Sequence, residues 1–333
     1  MSSWYTFRAR CAGSAFALAT QNRYIAPVND TLLARLRAPL ALISILALPL
    51  SAQSPAKVDY RSFDYGPAQC PSCAEWNAPQ EPRHIFGNTW FVGTHGLSAI
   101  LIQSPQGSIL LDGGVPASAP LIIANIRKLG FLVEDVRLIV NSHDHYDHSG
   151  GIAELQKASG AEVAASPASA PTLRAGKSGP EDPQFGLVLP FAPVPAVRVI
   201  KDGETIHVGS LAITAHFTPG HTPGGTTWSW RSCEGAVCHD MVYADSQTPV
   251  SADGFLFTKN TTYPGVIADF ERGQSVLDHL SCDILITPHP SVSSFWERLD
   301  NKQPLVDPDG CKRYAATARA ALAKRVAAER GAP

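Results

Sequence analysis

Short apolar runs separated by Gly- and Pro-rich turns make up most of the chain after its first 83 residues. Alternating or continuous apolar segments predict strands near residues 89–92, 97–102, 108–111, 136–140, 197–200, 205–208, 211–217, 227–230, 237–244 and 283–286. Apolar residues at helical spacing predict helices at 117–129, 150–159, 266–280 and 309–330. Residues 166–195 hold many Pro and Gly residues and predict a helix followed by a long loop. Strand blocks alternating with helices indicate an α/β protein with helix layers outside two packed sheets.

The first 52 residues have the character of an export signal. Arg35 and Arg37 precede an apolar run of 13 residues, 38–50, which ends in Leu50-Ser51-Ala52. A basic segment, a short apolar segment and a small-residue site are typical of a signal peptide, and the run is too short to span a bilayer comfortably. We therefore expect residues 1–52 to be removed, residues 53–83 to wrap the surface and residues 84–333 to form the main domain. The alternative for the apolar run is a buried helix.

Composition and charge narrow the range of possible functions. The chain has 333 residues, 44% of them hydrophobic, which suits one large or two modest globular domains. Residues 1–52 contain five Arg and one Asp, so their removal takes +4 from the chain and changes its formal charge from −2 to −6. The sequence shows no basic stripe, so nucleic acid is not an expected partner. We expect a periplasmic or secreted monomer with a small-molecule substrate and no stable membrane span.

The segment from Asn141 to His148 carries the strongest chemical signal. Its last six residues, His143-Asp144-His145-Tyr146-Asp147-His148, hold three imidazoles and two carboxylates. Neutral imidazole and carboxylate are preferred ligands of zinc and similar divalent metals. The run follows the predicted buried strand 136–140, and loops at the carboxyl ends of strands are where α/β proteins place their chemistry. We interpret it as a metal-binding loop; the alternative is a solvated polar loop.

The spacing within this loop indicates two metals. His143 and His145 are two residues apart, so on an extended segment they project to the same side and can reach one metal. Asp147 and His148 are adjacent, so on a turning backbone they diverge and can serve a second metal. Asp144 and Tyr146 are expected to point away. A catalytic zinc keeps three protein ligands and one open position, so each half of the loop lacks one ligand.

Two further histidines are candidates for the missing ligands. His221 lies in the Gly- and Pro-rich turn 218–225, directly after the strand 211–217, and His289 lies in Thr287-Pro288-His289-Pro290, after the strand 283–286. The other six histidines are expected to be edge, surface or packing residues: His84, His95, His207, His216, His239 and His279. Among them His95 is open to a second interpretation, because its Gly-Thr-His-Gly turn can face a cleft.

The order of these motifs resembles the metallo-β-lactamase superfamily. H-x-H-x-D-H, then a Gly-His turn, then a late Pro-His turn is the ligand series of that family, and finer similarity to its subclass B3 lies in residues 87–94, 110–114, 182–185, 218–225, 243–246 and 282–290. The similarity extends from about residue 82 to 325. It implies a four-layer αβ/βα sandwich, with two mixed sheets flanked by helices and a metal cleft along one edge. It also implies two Zn²⁺ per chain, the first held by His143, His145 and His221 and the second by Asp147, His148 and His289.

The resemblance implies an activity as well. A bound zinc lowers the pKa of its water to about 7, so hydroxide is available at neutral pH, and in this family it attacks the amide of a β-lactam. We therefore expect an exported hydrolase that opens penicillins, cephalosporins and carbapenems, with Asp147 and Ser246 as catalytic residues. Ser246 and Thr248 are expected to hold the substrate carboxylate, and Gln184 to line the cleft. Asp112 is expected to orient a metal ligand; the alternative is a turn aspartate without that role.

The pair Asp245-Ser246 separates the alternatives within the family. In related enzymes this region supplies a cysteine ligand or an aspartate that bridges both metals. Ser246 occupies the cysteine position, and we expect Asp245 to point inward as a hydrogen-bonding group. If Asp245 bridges the metals instead, the site resembles a glyoxalase-II-type thioesterase or a lactonase. A third alternative is a periplasmic zinc-binding protein without catalysis.

Cysteine usage agrees with export. Cys11 falls in the predicted signal, which leaves six cysteines, and none lies in a predicted metal-ligand turn. Cys233 and Cys238 flank a short turn and suit a hairpin disulfide, and the family resemblance supports a Cys282–Cys311 pair. Cys70-Pro-Ser-Cys73 stays open: the pair can close on itself, act as a redox pair or bind a metal. Some relatives pair a cysteine near here with one at the position of His95, a partner that this chain lacks.

Overall fold

Two β-sheets form the centre of the protein. The structure, a computed structural model, describes residues 59–331, so the predicted export signal lies outside the described residues. The first sheet is ordered as in the chain: β1 (Arg83–Phe86), β2 (Thr89–Phe91), β3 (Ile100–Ser104), β4 (Gly107–Leu111), β5 (Val136–Val140), β6 (Glu162–Ala165) and β7 (Arg198–Val199). The second is formed by β8 (Thr205–Val208), β9 (Leu211–Phe217), β10 (Thr226–Glu234), β11 (Val237–Tyr243) and β12 (Ile284–Ile286), in the order β12-β11-β10-β9-β8. Both sheets mix parallel and antiparallel pairs.

Eight α-helices surround these sheets in the described part of the chain. They are α1 (Cys73–Trp76), α2 (Ser118–Lys128), α3 (Tyr146–Ser149), α4 (Ile152–Ser159), α5 (Ser169–Ala175), α6 (Val266–His279), α7 (Phe295–Leu299) and α8 (Gly310–Gly331). Short 3₁₀ turns lie at Tyr60–Phe63, Val133–Asp135 and Pro290–Ser293. Among residues 59–331 no helix combines the length and the apolar character needed to cross a bilayer.

The side chains of each strand alternate between the two faces of its sheet and pack against the layers on both sides. In β5, Leu138 and Val140 face the second sheet, whereas Ile139 faces α2 and α4, because successive side chains leave opposite faces of a strand. Every one of these three side chains is at most 1% exposed. A strand covered on both faces is mainly apolar, and in β5 only Arg137 is exposed. On the far side, α6 and α8 cover the outer face of β11 and β12. The prediction of a four-layer sandwich is confirmed.

Strand direction brings the predicted ligand turns to one edge. Strands β4 and β5 run parallel with Leu111 opposite Val140, and β11 and β12 run parallel with Tyr243 opposite Ile286. Strand β9 points the same way as β11, because each is antiparallel to β10. The carboxyl ends of β4 and β5 therefore lie together, as do those of β9, β11 and β12. The Tyr243 hydroxyl, at the end of β11, donates to Asp112, directly after β4, and so joins the two groups at one edge.

Most predicted elements are present, and the differences have local causes. Strand β3 begins at Ile100 instead of residue 97, because the Ser98 backbone N–H donates to the Pro288 carbonyl 2.8 Å away. Strand β10 runs to Glu234, beyond the predicted residue 230, because it pairs with β11 as far as the hairpin turn. The predicted strand segments did not include β1 and β6.

Three disulfides are present among the described residues. Cys233–Cys238 joins the end of β10 to the start of β11, and Cys282–Cys311 joins the start of β12 to the start of α8, both as expected from the sequence. Cys70 and Cys73 pair with each other. Of the three possibilities open for these two cysteines, the structure therefore contains the closed pair.

Candidate metal centre

The ligand loop after β5 changes conformation in the middle. His145 is extended, with φ −77° and ψ 158°, and it directly precedes the helical turn α3 that contains Asp147 and His148. The Ser149 hydroxyl closes the loop by donating to the His143 carbonyl at 2.8 Å. The extended half presents His143 and His145 together, and the helical half turns Asp147 and His148 in another direction.

Three histidines from two distant turns meet on the first side of this loop. His143, His145 and His221 each offer a ring nitrogen, and these nitrogens lie within 4.8 Å of one another. Ring centroids are 4.8 Å apart for His143 and His145, 4.8 Å for His143 and His221, and 5.0 Å for His145 and His221. All three residues are buried, at 0, 3 and 8% exposed.

Each of these imidazoles is fixed by an acceptor on its outer side. Nδ1 of His143 lies 2.8 Å from Oδ1 of Asp245, and Nε2 of His145 lies 3.0 Å from Oδ2 of Asp182. Nδ1 of His221 lies 2.8 Å from the Thr248 carbonyl. Carboxylates and carbonyls only accept, so these nitrogens donate, and the opposite nitrogen of each ring carries a lone pair directed inward. Such outer acceptors are the usual partners of metal-ligating histidines.

The inward nitrogen of His143 shows that these residues fit a metal. This Nε2 atom is fully buried and has no hydrogen-bond partner among the described residues. A buried polar atom without a partner is costly, whereas a neutral imidazole lone pair is a preferred zinc ligand. The donor set of histidine and carboxylate therefore suits a zinc-type cation.

The second group gathers around Asp147. Its Oδ2 atom lies 3.2 Å from Nε2 of His148 and 3.2 Å from Nε2 of His289. The rings of His148 and His289 are 4.9 Å apart, and those of His143 and His148 only 4.4 Å. Coordinating atoms of His143, Asp147 and His148 also lie within 4.8 Å of one another, so the two groups adjoin. The structure thus brings together all six side chains selected from the sequence.

Burial and mutual repulsion keep His143 and His221 neutral. Burial also acts to lower the pKa of His145, but the carboxylate of Asp182 outweighs it and raises that pKa. Burial lowers the pKa of His143 well below its usual value, and the neighbouring imidazoles of His148, His145 and His221 lower it further. Burial, with His145, lowers the pKa of His221 to about 3. For Asp147, burial acts to raise the pKa, but His148 and His289 outweigh it and hold that pKa well below its usual value. Neutral imidazoles and an ionised carboxylate are the forms that bind metal.

Asp112 holds the ligand loop from behind. It has a positive φ of 61° and follows β4 directly. The Ser142 N–H donates to Oδ1 at 2.6 Å, and the hydroxyls of Ser142 and Tyr243 each donate to Oδ2 at 2.7 Å. Oδ2 is also 3.7 Å from Nδ1 of His148. Asp112 therefore supports the start of the ligand loop and lies behind His148.

Asp245 lies behind His143, on the side away from the ligand cluster. Both side chains are 0% exposed. A Cβ atom added to Gly225 would lie 2.2 Å from Oδ2 of Asp245, so this carboxylate fits only because residue 225 is glycine. The Tyr314 hydroxyl donates to the Asp245 carbonyl at 3.0 Å and ties the segment to α8. Oδ1 of Asp245 thus lies against His143, whereas Oδ2 is buried without a hydrogen-bond partner among the described residues.

A cleft of about 350 Å³ opens over the two groups. Gln184, Ser246 and Thr248 line its polar side together with the ligands His145, Asp147, His221 and His289. The amide nitrogen of Gln184 lies 3.4 Å from Nε2 of His221. The apolar side is formed mainly by Trp76, Leu187, Val188, Leu189 and Val250.

Two residues of the site were not singled out from the sequence. Asp182 is the partner of His145, and Trp76 packs at 5.6 Å from the ring of His289. Asp182 lies in a segment that the resemblance included, but its partner is 37 residues away, and no local signal identifies it. Asp144 points away as expected, and its Oδ1 accepts from the Ser169 hydroxyl at 3.0 Å.

The other histidines take no part in the cluster. His207 is exposed on β8, and His216 bonds the Ser229 hydroxyl at 2.8 Å. His95 is exposed and stacks on Trp296 at 5.2 Å, outside the cleft. His84, His239 and His279 lie at or near the surface.

A family model for the metallo-β-lactamase superfamily matches residues 92–296. The chain belongs to this superfamily.

Solved structures of metallo-β-lactamases resemble the chain over almost their whole length. Rm3 metallo-β-lactamase is 50% identical, with a TM-score of 0.77, and the match covers 78% of this chain and 99% of that one. MEM-A1, a subclass B3 metallo-β-lactamase isolated from a soil metagenome library, is 46% identical with a TM-score of 0.75, covering 77 and 98%. MIM-1 from Novosphingobium pentaromativorans is 45% identical with a TM-score of 0.75, covering 79 and 98%. The resemblance to subclass B3 and the prediction of an enzyme are confirmed.

Curated relatives in the superfamily are more distant. A hydroxyacylglutathione hydrolase of Rhodospirillum rubrum is 25% identical over 130 residues, 39% of this chain and 41% of the relative. One from Anaeromyxobacter dehalogenans is 31% identical over 133 residues, again 39 and 41%. The chain spans less than half the length of these curated relatives.

Proposed function

We propose that this chain is an exported dizinc hydrolase that opens the amide bond of β-lactam antibiotics. In this proposal His143, His145 and His221 hold one zinc, and Asp147, His148 and His289 hold the other. The observation that carries it is the convergence of these six side chains under an open cleft, with inward lone pairs on the histidines. The extent of similarity to B3 metallo-β-lactamases, up to 99% of a related chain, supports the same activity.

Zinc bound in this site would supply a hydroxide at neutral pH and positive charge for the oxygen and nitrogen of the cleaved amide. The chain itself supplies the positioning. Ser246 and Thr248 would hydrogen-bond the substrate carboxylate on the polar side of the cleft. Gln184, whose amide lies 3.4 Å from His221, would contact the substrate next to the first zinc. The apolar side, with Trp76 and Leu187, would receive apolar parts of the substrate and exclude water.

A thioesterase of the glyoxalase-II type is the second candidate, because the curated relatives are named hydroxyacylglutathione hydrolases. In such sites an aspartate in the region of Asp245 bridges the metals. In this chain Oδ1 of Asp245 lies 2.8 Å from Nδ1 of His143, on the side of the ring away from the cluster. A carboxylate at that outer position orients one ligand from behind, and a bridging role would require it to reach the inner side of the ring. This difference favours the β-lactamase activity.

Export is part of the proposal. Three disulfides among the described residues suit an oxidising compartment such as the periplasm or the exterior. The basic and apolar segment within residues 1–52 supports the same destination.

Parallel assays separate the candidates. The purified, zinc-loaded protein would be offered a carbapenem, S-lactoylglutathione and an acyl-homoserine lactone. The proposal predicts rapid turnover of the carbapenem and little of the other two. Turnover of the thioester or lactone with none of a penicillin, cephalosporin or carbapenem would overturn it. Zinc binding without turnover of any of these substrates would indicate a non-catalytic binding protein.

A further inference from the structure

One side of the cleft is formed by a small disulfide-closed turn that the zinc chemistry does not use. We call residues 66–75 the Cys70 turn. Four of its residues line the cleft: Gln69, Cys70, Pro71 and Ser72. Cys70 also lines a second cavity of about 250 Å³ on the other side of the turn. The turn therefore separates two cavities and has empty space on both sides.

The hydrogen bonds of the Cys70 turn are internal. The N–H groups of Gln69 and Cys70 both donate to the Gly66 carbonyl at 3.0 Å, and the Trp76 N–H donates to the Ser72 carbonyl at 2.8 Å. Within the described structure, no hydrogen bond joins residues 66–75 to the protein beyond residues 59–78. The turn is held instead by the Cys70–Cys73 disulfide and by burial of Cys70, which is 6% exposed.

The segments on either side of the turn are anchored independently. Before it, the Tyr146 hydroxyl donates to the Phe63 carbonyl at 2.7 Å. After it, the Trp76 carbonyl accepts from the Thr94 hydroxyl at 2.7 Å and from the Gly96 N–H at 3.2 Å. Trp76, which packs near His289, therefore keeps its place without the disulfide. Opening the disulfide would release the turn but leave the metal ligands in position.

The disulfide is placed for reduction by a thiol. Cys73 is half-buried, whereas Cys70 lies in the core, so an external thiolate reaches the Cys73 sulfur first. Attack there forms a mixed disulfide and expels Cys70 as a thiolate; the second thiol of a dithiol then releases Cys73. The net reaction converts one protein disulfide and one dithiol into two protein thiols and an oxidised dithiol. The closed loop is only four residues long, so by loop length this disulfide stabilises the whole fold least of the three.

We propose that the Cys70 turn is a substrate-contacting surface of the cleft and that the oxidation state of Cys70 and Cys73 sets how well substrate binds. The closed pair holds Gln69, Pro71 and Ser72 against the bound substrate. The reduced turn moves into the adjoining space and loses those contacts. Because the zinc ligands stay in place, the change appears in KM and not in kcat, the pattern expected when uniform binding is removed. This inference rests on the proposed β-lactamase activity for its kinetic readout.

The test compares Cys70→Ser/Cys73→Ser with the wild type, using a carbapenem as substrate. The matched control is Cys233→Ser/Cys238→Ser, which removes another short disulfide at a hairpin outside the cleft. We expect KM to rise by about fivefold to tenfold in the Cys70 variant, as when a few ordered side chains are released. Its kcat and bound zinc should match the wild type, and the control should leave KM unchanged. A wild-type KM in the Cys70 variant, or equal shifts in both variants, overturns the inference.

Two further measurements keep the result independent of folding and of the activity itself. Wild-type protein is treated with a dithiol, which is then removed because thiols bind zinc. The reduced cysteines are identified by alkylation and mass spectrometry. Cys70 and Cys73 should be reduced before the other pairs, and reoxidation should restore KM. Hydrogen exchange should rise in residues 66–75 and stay unchanged in 141–149. Unchanged exchange in the turn overturns the inference even if no β-lactam is hydrolysed, whereas an inactive wild type refutes the proposed function alone.

Discussion

Nδ1 of His143 donates to Oδ1 of Asp245 across 2.8 Å, and both side chains are completely buried. The bond sets the tautomer of His143 and directs its other nitrogen toward the ligand cluster. A residue that could have bridged two metals thus acts on one ligand from behind. The acid also lies next to Ser246, so a single short segment supports the metal site and borders the cleft.

Removing this carboxylate should weaken zinc binding. We expect Asp245→Ala to lower zinc affinity by about 10- to 100-fold, the usual effect of losing the partner of a ligating histidine. Asp245→Asn, which keeps one acceptor oxygen, should lose less. Competition with a chromophoric chelator measures both. Asp144→Asn is the matched control, since it changes a buried acid of the same region that bonds Ser169 instead of an imidazole. Equal affinities in Asp245→Ala and the wild type would contradict this role.

Removing a ligand should abolish turnover without unfolding the protein. We expect His143→Ala, Asp147→Ala and His289→Ala each to reduce kcat for a β-lactam by orders of magnitude, because each substitution removes one of the three protein ligands of one metal. Circular dichroism should stay near that of the wild type. His207→Ala, at an exposed position on β8, serves as the control and should keep full activity. Retained activity in His289→Ala would show that the ligand assignment is wrong.

Substrate contacts should act on KM. We expect Ser246→Ala and Thr248→Ala each to raise KM by about tenfold or more, since a hydrogen bond to a charged group contributes about 1.5–3 kcal/mol. The Thr248 carbonyl that orients His221 is retained in the second variant. Steady-state kinetics with a carbapenem measures both, and Thr261→Ala, exposed in the loop 251–262, is the control. Unchanged KM values would show that the substrate carboxylate binds elsewhere in the cleft.

The two longer-range disulfides should differ in their effect on stability. Cys282–Cys311 has a sequence separation of 29 and Cys233–Cys238 a separation of 5. The chain-entropy estimate gives about 3–4 kcal/mol for the first and about 2 kcal/mol for the second. Urea unfolding of the two double-serine variants checks this order. A larger loss in Cys233→Ser/Cys238→Ser would contradict it.

A buried glutamate should make stability depend on pH. Oε2 of Glu329 accepts from the Thr258 N–H at 2.9 Å, and Oε1 accepts from the Phe257 N–H at 3.1 Å and from Arg325 at 2.7 Å. Burial acts to raise the pKa of Glu329, but Arg325 and these N–H groups outweigh it and lower that pKa. The stabilisation is therefore complete above the unfolded-state pKa and is lost as pH falls through the depressed folded-state value.

The corresponding experiment compares Glu329→Gln with the wild type. We expect the variant to lose about 1–3 kcal/mol of unfolding free energy at pH 7, as for hydrogen bonds to a charged group, and the difference to shrink below about pH 4, the usual range of a glutamate. Urea unfolding across this pH range measures it, with the exposed Glu271→Gln as control. If the difference in unfolding free energy grew as the pH fell, the predicted direction of the pH dependence would be wrong.

The ligands could be predicted from the sequence because the chemistry is local. His143, His145, Asp147 and His148 lie within six consecutive residues, and His221 and His289 lie in Gly- or Pro-containing turns after strands. The apolar residues of β5, interrupted only by the exposed Arg137, also identified a buried strand with its ends correct.

The remaining features depend on tertiary contacts that no local pattern carries. Asp182 contacts His145 although the two are 37 residues apart in the chain. The Ser98 hydroxyl donates to the Thr287 carbonyl, 189 residues away. Strand β6, Glu-Val-Ala-Ala, has weak strand propensity and forms because β5 and β7 pair with it on both sides.

The most direct test of a dizinc β-lactamase is zinc titration of metal-free protein, with turnover of nitrocefin and imipenem followed as zinc is added back after EDTA treatment. We predict that hydrolysis vanishes with the metal, returns on zinc addition and saturates at two zinc ions per chain. A protein that takes up no transition metal, or that hydrolyses these substrates equally well without one, would contradict the account.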